Sequence, residues 1–137
     1  MPWSAARRPG ARDRGATSVE LVVYTPVLML VIFLTVQFAL TWHGNQIAGA
    51  VAREAARVAR AGGGTDSAIA QAKTRGAEYA AAIGGDALRD VSIEVSLPAD
   101  GEVAVTVTGR SVEIVPGFAP RVHVSVLGPL EVFRPDV

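Results

Sequence analysis

LVVYTPVLMLVIFLTVQFALTW, residues 21–42, carries no charged side chain over 22 positions. A hydrocarbon core of about 30 Å needs about 20 helical residues to cross it, so this run has the length and composition of a transmembrane helix. Thr25, Pro26, Thr35 and Gln37 are tolerable within it, because hydroxyls and neighbouring helices satisfy freed backbone groups. Trp42 and His43 mark the far interface, where amphipathic rings sit. Arg7, Arg8, Arg12 and Arg14 precede the run, placing the N-terminus in the cytoplasm and the chain after residue 42 outside. A cleaved secretory signal is a poorer fit. Its apolar core is shorter, and the small-residue group Ala48-Gly49-Ala50 lies inside a helical pattern rather than at the end of the run.

Downstream of Trp42 no turn signal appears. In NQIAGAVAREAARVARA, residues 45–61, Ile47, Val51, Ala55 and Val58 form an apolar stripe. Arg53, Arg57 and Arg60 form a polar one, and Glu54 is placed to pair with Arg57. One helix is therefore predicted from about Ser18 to Ala61, spanning in its first half and amphipathic in its second. Gly62-Gly63-Gly64 ends it. A second helix, capped by Thr65 or Asp66, presents Ile69, Ala72, Gly76, Tyr79 and Ile83 on one face and stops at Gly84-Gly85.

After Asp90 the period becomes two. Val91, Ile93, Val95 and Leu97 alternate with polar residues, as do Val103, Val105 and Val107. Pro98-Ala99-Asp100-Gly101 between them reads as a hairpin turn. Val112 to Val115, Val122 to Leu127 and Leu130 to Phe133 are further strand candidates. The expected fold class is α+β: a long N-terminal transmembrane and amphipathic helix, a second helix, and a small antiparallel sheet with one dry face that the helices cover. The expected organisation is a basic leader over 1–15, a transmembrane helix over 16–42, its amphipathic continuation over 43–61 and an extracytoplasmic head over 65–137.

Composition narrows the chemistry. Net charge is zero and cysteine is absent, which excludes disulfides and thiolate chemistry and offers no footprint for nucleic acid. His123 falls on the polar side of a strand, and nothing brackets Ser111 as a nucleophile elbow would, so a Ser111–His123–Asp100 triad is not expected. The glycine runs follow helices and lack the lysine of a phosphate loop. No cofactor and no metal are expected, and no enzymatic activity.

Glu20, at the mouth of the apolar run, has two readings. By position alone it lies at the membrane surface and snorkels to water. Its flanks point elsewhere. RGATSVEL, residues 14–21, resembles the class III signal of type IV pilins and pseudopilins, in which a prepilin peptidase cuts after the glycine and leaves glutamate at the fifth mature position. On that resemblance the processing residues are Gly15 and Ala16, and Glu20 is the subunit-assembly residue, its carboxylate one helical turn from the new Ala16 ammonium. With Pro26 early in the span and AVAREAARVARAG at 50–62, the chain further resembles the TadE-like minor pseudopilins of tight-adherence (Flp-type) pilus systems. Leu21 stands where major Flp pilins carry tyrosine, and the strand-rich part is longer than theirs, which favours the minor branch. The resemblance implies a pilin-like head and a non-catalytic role in pilus assembly. The implied partners are the membrane, the prepilin peptidase, and other pilins and assembly proteins. The alternative is an uncleaved, single-pass anchored domain whose head binds a ligand or envelope partner.

Overall fold

The computed structural model describes residues 13–98, 101–118 and 120–130, with backbone alone at 13–17. The elements are α1 (Asp13–Ala61), α2 (Asp66–Gly84), β1 (Leu88–Ser96), β2 (Glu102–Ser111) and β3 (Arg121–Pro129). The architecture is α+β. By contacts the chain divides at Thr35/Val36 into two units.

The first unit holds the early turns of α1. Its side chains from Ser18 to Thr35 are exposed on every side, although they are almost all apolar. Thr25 Oγ1 donates to the Leu21 carbonyl at 2.6 Å and Thr35 Oγ1 to the Val31 carbonyl at 2.8 Å. Both hydroxyls are thereby satisfied inside the helix, leaving an apolar exterior.

In the second unit the rest of α1 and all of α2 lie against one face of a three-stranded antiparallel sheet of order β1-β2-β3. The central strand carries the centre of the core: Val103, Val105 and Val107 are fully buried, while Ala104, Thr106 and Thr108 between them face outward. A Cβ built on Gly44 would touch Ser111 and Val122 at 3.4 Å, and one on Gly128 would meet Arg60 Nη1 at 3.1 Å. Thus α1 runs alongside β3 in the same direction. Sixteen helical residues rise about 24 Å and six strand residues about 20 Å, so the two advance nearly in step.

The stretch after Asp86 contains a device that alternation alone does not reveal. Register shifts between Arg89 and Ser92, where Asp90 takes φ 52°. This extra residue puts Leu88 and Val91 on the same dry side despite their odd spacing. At the other end, Gly101 takes φ 83° in the hairpin and its carbonyl accepts from Leu130 N at 2.7 Å; Ala99 and Asp100 lie outside the described residues.

Thr65 caps α2 as expected, its hydroxyl accepting from Ala68 N at 3.2 Å, and Gly85 ends it. The buried face differs from the expected one. It consists of Ala68, Ala72, Gly76, Ala80 and Gly84, whereas Tyr79 and Ile83 are exposed and Ile69 is half-buried. Proximity explains this: a Cβ on Gly76 would stand 2.6 Å from Ile93 Cδ1 and 3.3 Å from Ala55 Cβ. Only small side chains allow α2 this close to α1 and β1. The apolar stripe of α1 is also wider than the four residues read from spacing, since Ala48, Ala52, Ala56 and Ala59 are buried as well. Residues 112–118 form turns rather than the strand expected at Val112 to Val115. The strand candidate at Leu130 to Phe133 lies, apart from Leu130, outside the described residues.

Candidate membrane anchor and assembly segment

The candidate site is built on α1, because the processing and assembly residues expected from the sequence all fall on its first turns. Gly15 and Ala16 lie within the helix, and the leader before Asp13 is outside the described residues. Glu20 is exposed, flanked by exposed Val19 and Leu21. The three ion pairs among the described residues do not include it. Helical geometry puts residues 16 and 20 on one face, a turn apart. Beyond Glu20 the helix presents a cylinder of exposed Val, Leu, Ile, Met and Phe. This surface far exceeds the few hundred Å² of contiguous apolar patch that a water-soluble monomer exposes. By length and hydropathy α1 qualifies as one membrane-crossing helix.

The environment changes at Gln37. Its side chain is only 4% exposed and clamps the turn after β2. Nε2 donates to the Val112 carbonyl at 2.9 Å; Oε1 accepts from Ile114 N at 2.9 Å and from Val115 N at 3.4 Å. An amide suits this role because it has donor and acceptor on one planar group, matching a backbone C=O and N–H side by side. The sequence reads Gln37 as a tolerated polar residue within the span; the fold makes it a head residue. The available signal is that no other amide side chain occurs between Leu21 and Trp42. One turn on, Thr41 Oγ1 donates to the Gln37 carbonyl at 2.9 Å and lies 3.5 Å from Ser111 Oγ.

Farther along α1 the expected Glu54–Arg57 pair forms as a fork, Nε to Oε2 at 2.9 Å and Nη2 to Oε1 at 2.7 Å. The Arg57 hydrogen bond holds the Glu54 carboxyl below its ordinary range, against a smaller opposing effect of burial. Arg53 and Arg57 are exposed; Arg60 instead folds over Gly128.

The structure does not assemble the triad that could be drawn from the sequence. Ser111 is buried on the dry face with its hydroxyl on the Pro120 carbonyl at 3.4 Å, whereas His123 is exposed on the opposite face. Among the described residues no three His, Asp or Glu gather in a metal-binding group.

Comparison with protein families matches residues 15–57 to the family described as TadE-like protein. The matched segment begins at the glycine of the expected processing junction, passes through the exposed apolar helix and ends on the sheet-covered part of α1. Comparison with curated proteins and with solved structures returned no match.

Proposed function

We propose that this TadE-like chain is a minor pseudopilin: a membrane-anchored, non-catalytic component acting in assembly of a tight-adherence pilus. The observation that carries the reading is the division of α1. From Val19 to Val36 it is apolar and exposed all round, with one carboxylate at its start; from Ile47 onward one side is buried under a sheet. A helix of this kind is held by lipid before assembly and by other apolar helices after it. The family match covers both halves.

In this reading prepilin peptidase cuts between Gly15 and Ala16, on the cytoplasmic side, so the anchor survives while the leader leaves. The head stands outside the cytoplasm. The new Ala16 ammonium and the Glu20 carboxylate of a neighbouring subunit then neutralise one another as the helices pack, since a buried charge needs a partner. Chemistry is left to other components; this chain contributes helix, charge pair and head.

The test is the mature N-terminus in the native host. Cleavage removes about 1.7 kDa, and a bulky residue at position 15 blocks it. Glu20→Leu is expected to insert and be cleaved normally yet fail to co-purify with other pilins. Breaking a buried pair costs about 3–5 kcal/mol, over a hundredfold in an assembly equilibrium. An intact leader together with normal piliation by Glu20→Leu would overturn the proposal in favour of an uncleaved anchored domain.

A further inference from the structure

The end of the sheet where β2 finishes and β3 begins carries two surfaces that the assembly role does not use. Across the three strands Arg89 pairs with Arg110, and Arg110 with Arg121, in direct register. All three are exposed, and the neighbours Gly109, Ser111 and Val122 are buried, so the row stands on the open face of the sheet. Like charges directly opposite one another destabilise a sheet. Three carboxylates stand around the row: Arg89 meets exposed Asp86 at 3.4 Å, and Asp90 and Glu113 border a recess with Arg89 and Arg110, but neither Arg110 nor Arg121 enters an ion pair among the described residues. Asp90 borders the same recess as Arg110 and Arg121. The Glu113 carboxylate accepts from Gly117 N. Beside the row, the turn at 112–118 exposes apolar side chains, Phe118 at 60% and Ile114 at 42%.

Contacts to α1 give the level of both surfaces. Ser111, next to Arg110, lies against Thr41 and Gly44, at the place where the uncharged run ends in Trp42-His43. Gln37 holds the apolar turn at Val112, Ile114 and Val115, four residues back along α1. Four residues are about 6 Å of helix, close to the thickness of one headgroup layer, about 5–7 Å. Phe38 and Trp42 are exposed on α1 over the same stretch.

We propose that this end of the head docks into the headgroup layer of the membrane that α1 spans. The Arg89–Arg110–Arg121 row engages the phosphates of anionic phospholipids, and Ile114 and Phe118 enter the acyl boundary beneath. The arginine repulsion is relieved by lipid phosphate, and arginine stems bury beside apolar surface while their guanidinium groups stay at the phosphates. The inference rests on the membrane-spanning reading of α1. It fixes the head against the bilayer before the helix is extracted into a fibre.

The chain has no cysteine, so single nitroxide labels can be placed cleanly. The full chain is reconstituted in vesicles of phosphatidylcholine, with or without phosphatidylglycerol, carrying F33C, F118C or S67C. Each probe is tested for collision with oxygen, which partitions into lipid, and with an aqueous nickel chelate. The probe at 33 is expected to meet oxygen and the probe at 67 the chelate. The probe at 118 should meet oxygen in anionic vesicles. Combining Arg89→Gln, Arg110→Gln and Arg121→Gln should return it toward the chelate there, with the docked population falling about fivefold per arginine, and change nothing in neutral vesicles. A probe at 33 that meets the chelate overturns the spanning reading itself. With 33 in lipid, a probe at 118 as aqueous as that at 67 overturns the docking alone. Shielding of 118 from both reagents would mean a protein partner, and insensitivity to the triple substitution would mean no arginine role; each overturns the proposal.

Discussion

Replacing Gln37 by leucine should loosen the turn after β2 while leaving the rest of the core in place. Leucine is close to glutamine in shape but takes away both ends of the clamp: the donor to Val112 and the acceptor for Ile114 and Val115. Two bonds at 2.9 Å count fully and the third, at 3.4 Å, counts for little. Orphaning a buried backbone group costs about 1–3 kcal/mol. Ile114 is partly exposed, so water reaches the turn and the lower end of that range applies. The total is about 2 kcal/mol. For a unit of about a hundred residues this lowers Tm by about 8–16 °C. Amide exchange in the 112–118 segment should rise about thirtyfold. Gln37→Glu supplies the control. It keeps an acceptor for the Ile114 amide but presents an oxygen to the Val112 carbonyl, so it should protect Ile114 better than leucine does. Measurement is by circular dichroism melting and segment-resolved hydrogen exchange in detergent. Wild-type melting and exchange in Gln37→Leu would refute the view that this amide fastens the turn to α1.

Packing and charge set three further outcomes. Val105→Asp places a carboxylate at a fully buried position on the central strand and should unfold the head, a loss of several kcal/mol; near-native melting would refute the strand register. Gly62→Ala drives a Cβ into the Cβ of Ala68 at the α1–α2 turn, where no flexible atom can give way. It should cost about 1–3 kcal/mol by overpacking, read as a lowered urea midpoint, whereas Gly63→Ala meets no neighbour and suffers only from its positive φ. Glu54→Gln tests the surface fork on α1. The Glu54 pKa is depressed in the folded chain, so its contribution is present above the unfolded value and lost as pH falls through the folded one. Wild type should therefore melt slightly above the variant at neutral pH and coincide with it in acid; a gap that widens on acidification would contradict the assignment.

Much of the architecture was legible because its signals are local. A run without charge, a switch of period after Asp90, a capping threonine at 65 and glycines at 62–64, 84–85 and 101 each act within a few residues of themselves. Errors arose where the deciding quantity was distance between elements. Hydrophobicity favoured Tyr79 and Ile83 for the buried face of α2, but the gap left by α1 and β1 admits only Ala and Gly. Val112 to Val115 has the composition of a strand, yet its backbone donors and acceptor are taken by a side chain some seventy-five residues earlier in sequence, and no ladder forms. The extra residue at Asp90 was likewise silent, since a positive φ at an aspartate leaves no mark on an alternation pattern.

By itself, then, the sequence determined that this chain has a membrane-length apolar helix with a glutamate at its mouth, a second helix and a two-period sheet. These follow from composition and from spacing along a single element. Only the tertiary structure decided where the head begins, that Gln37 belongs to it, and that three arginines from three separate strands stand in one row beside an apolar turn. Strand register and the depth at which a helix meets a sheet depend on contacts between residues far apart in the chain, and such contacts exist only once the core has closed.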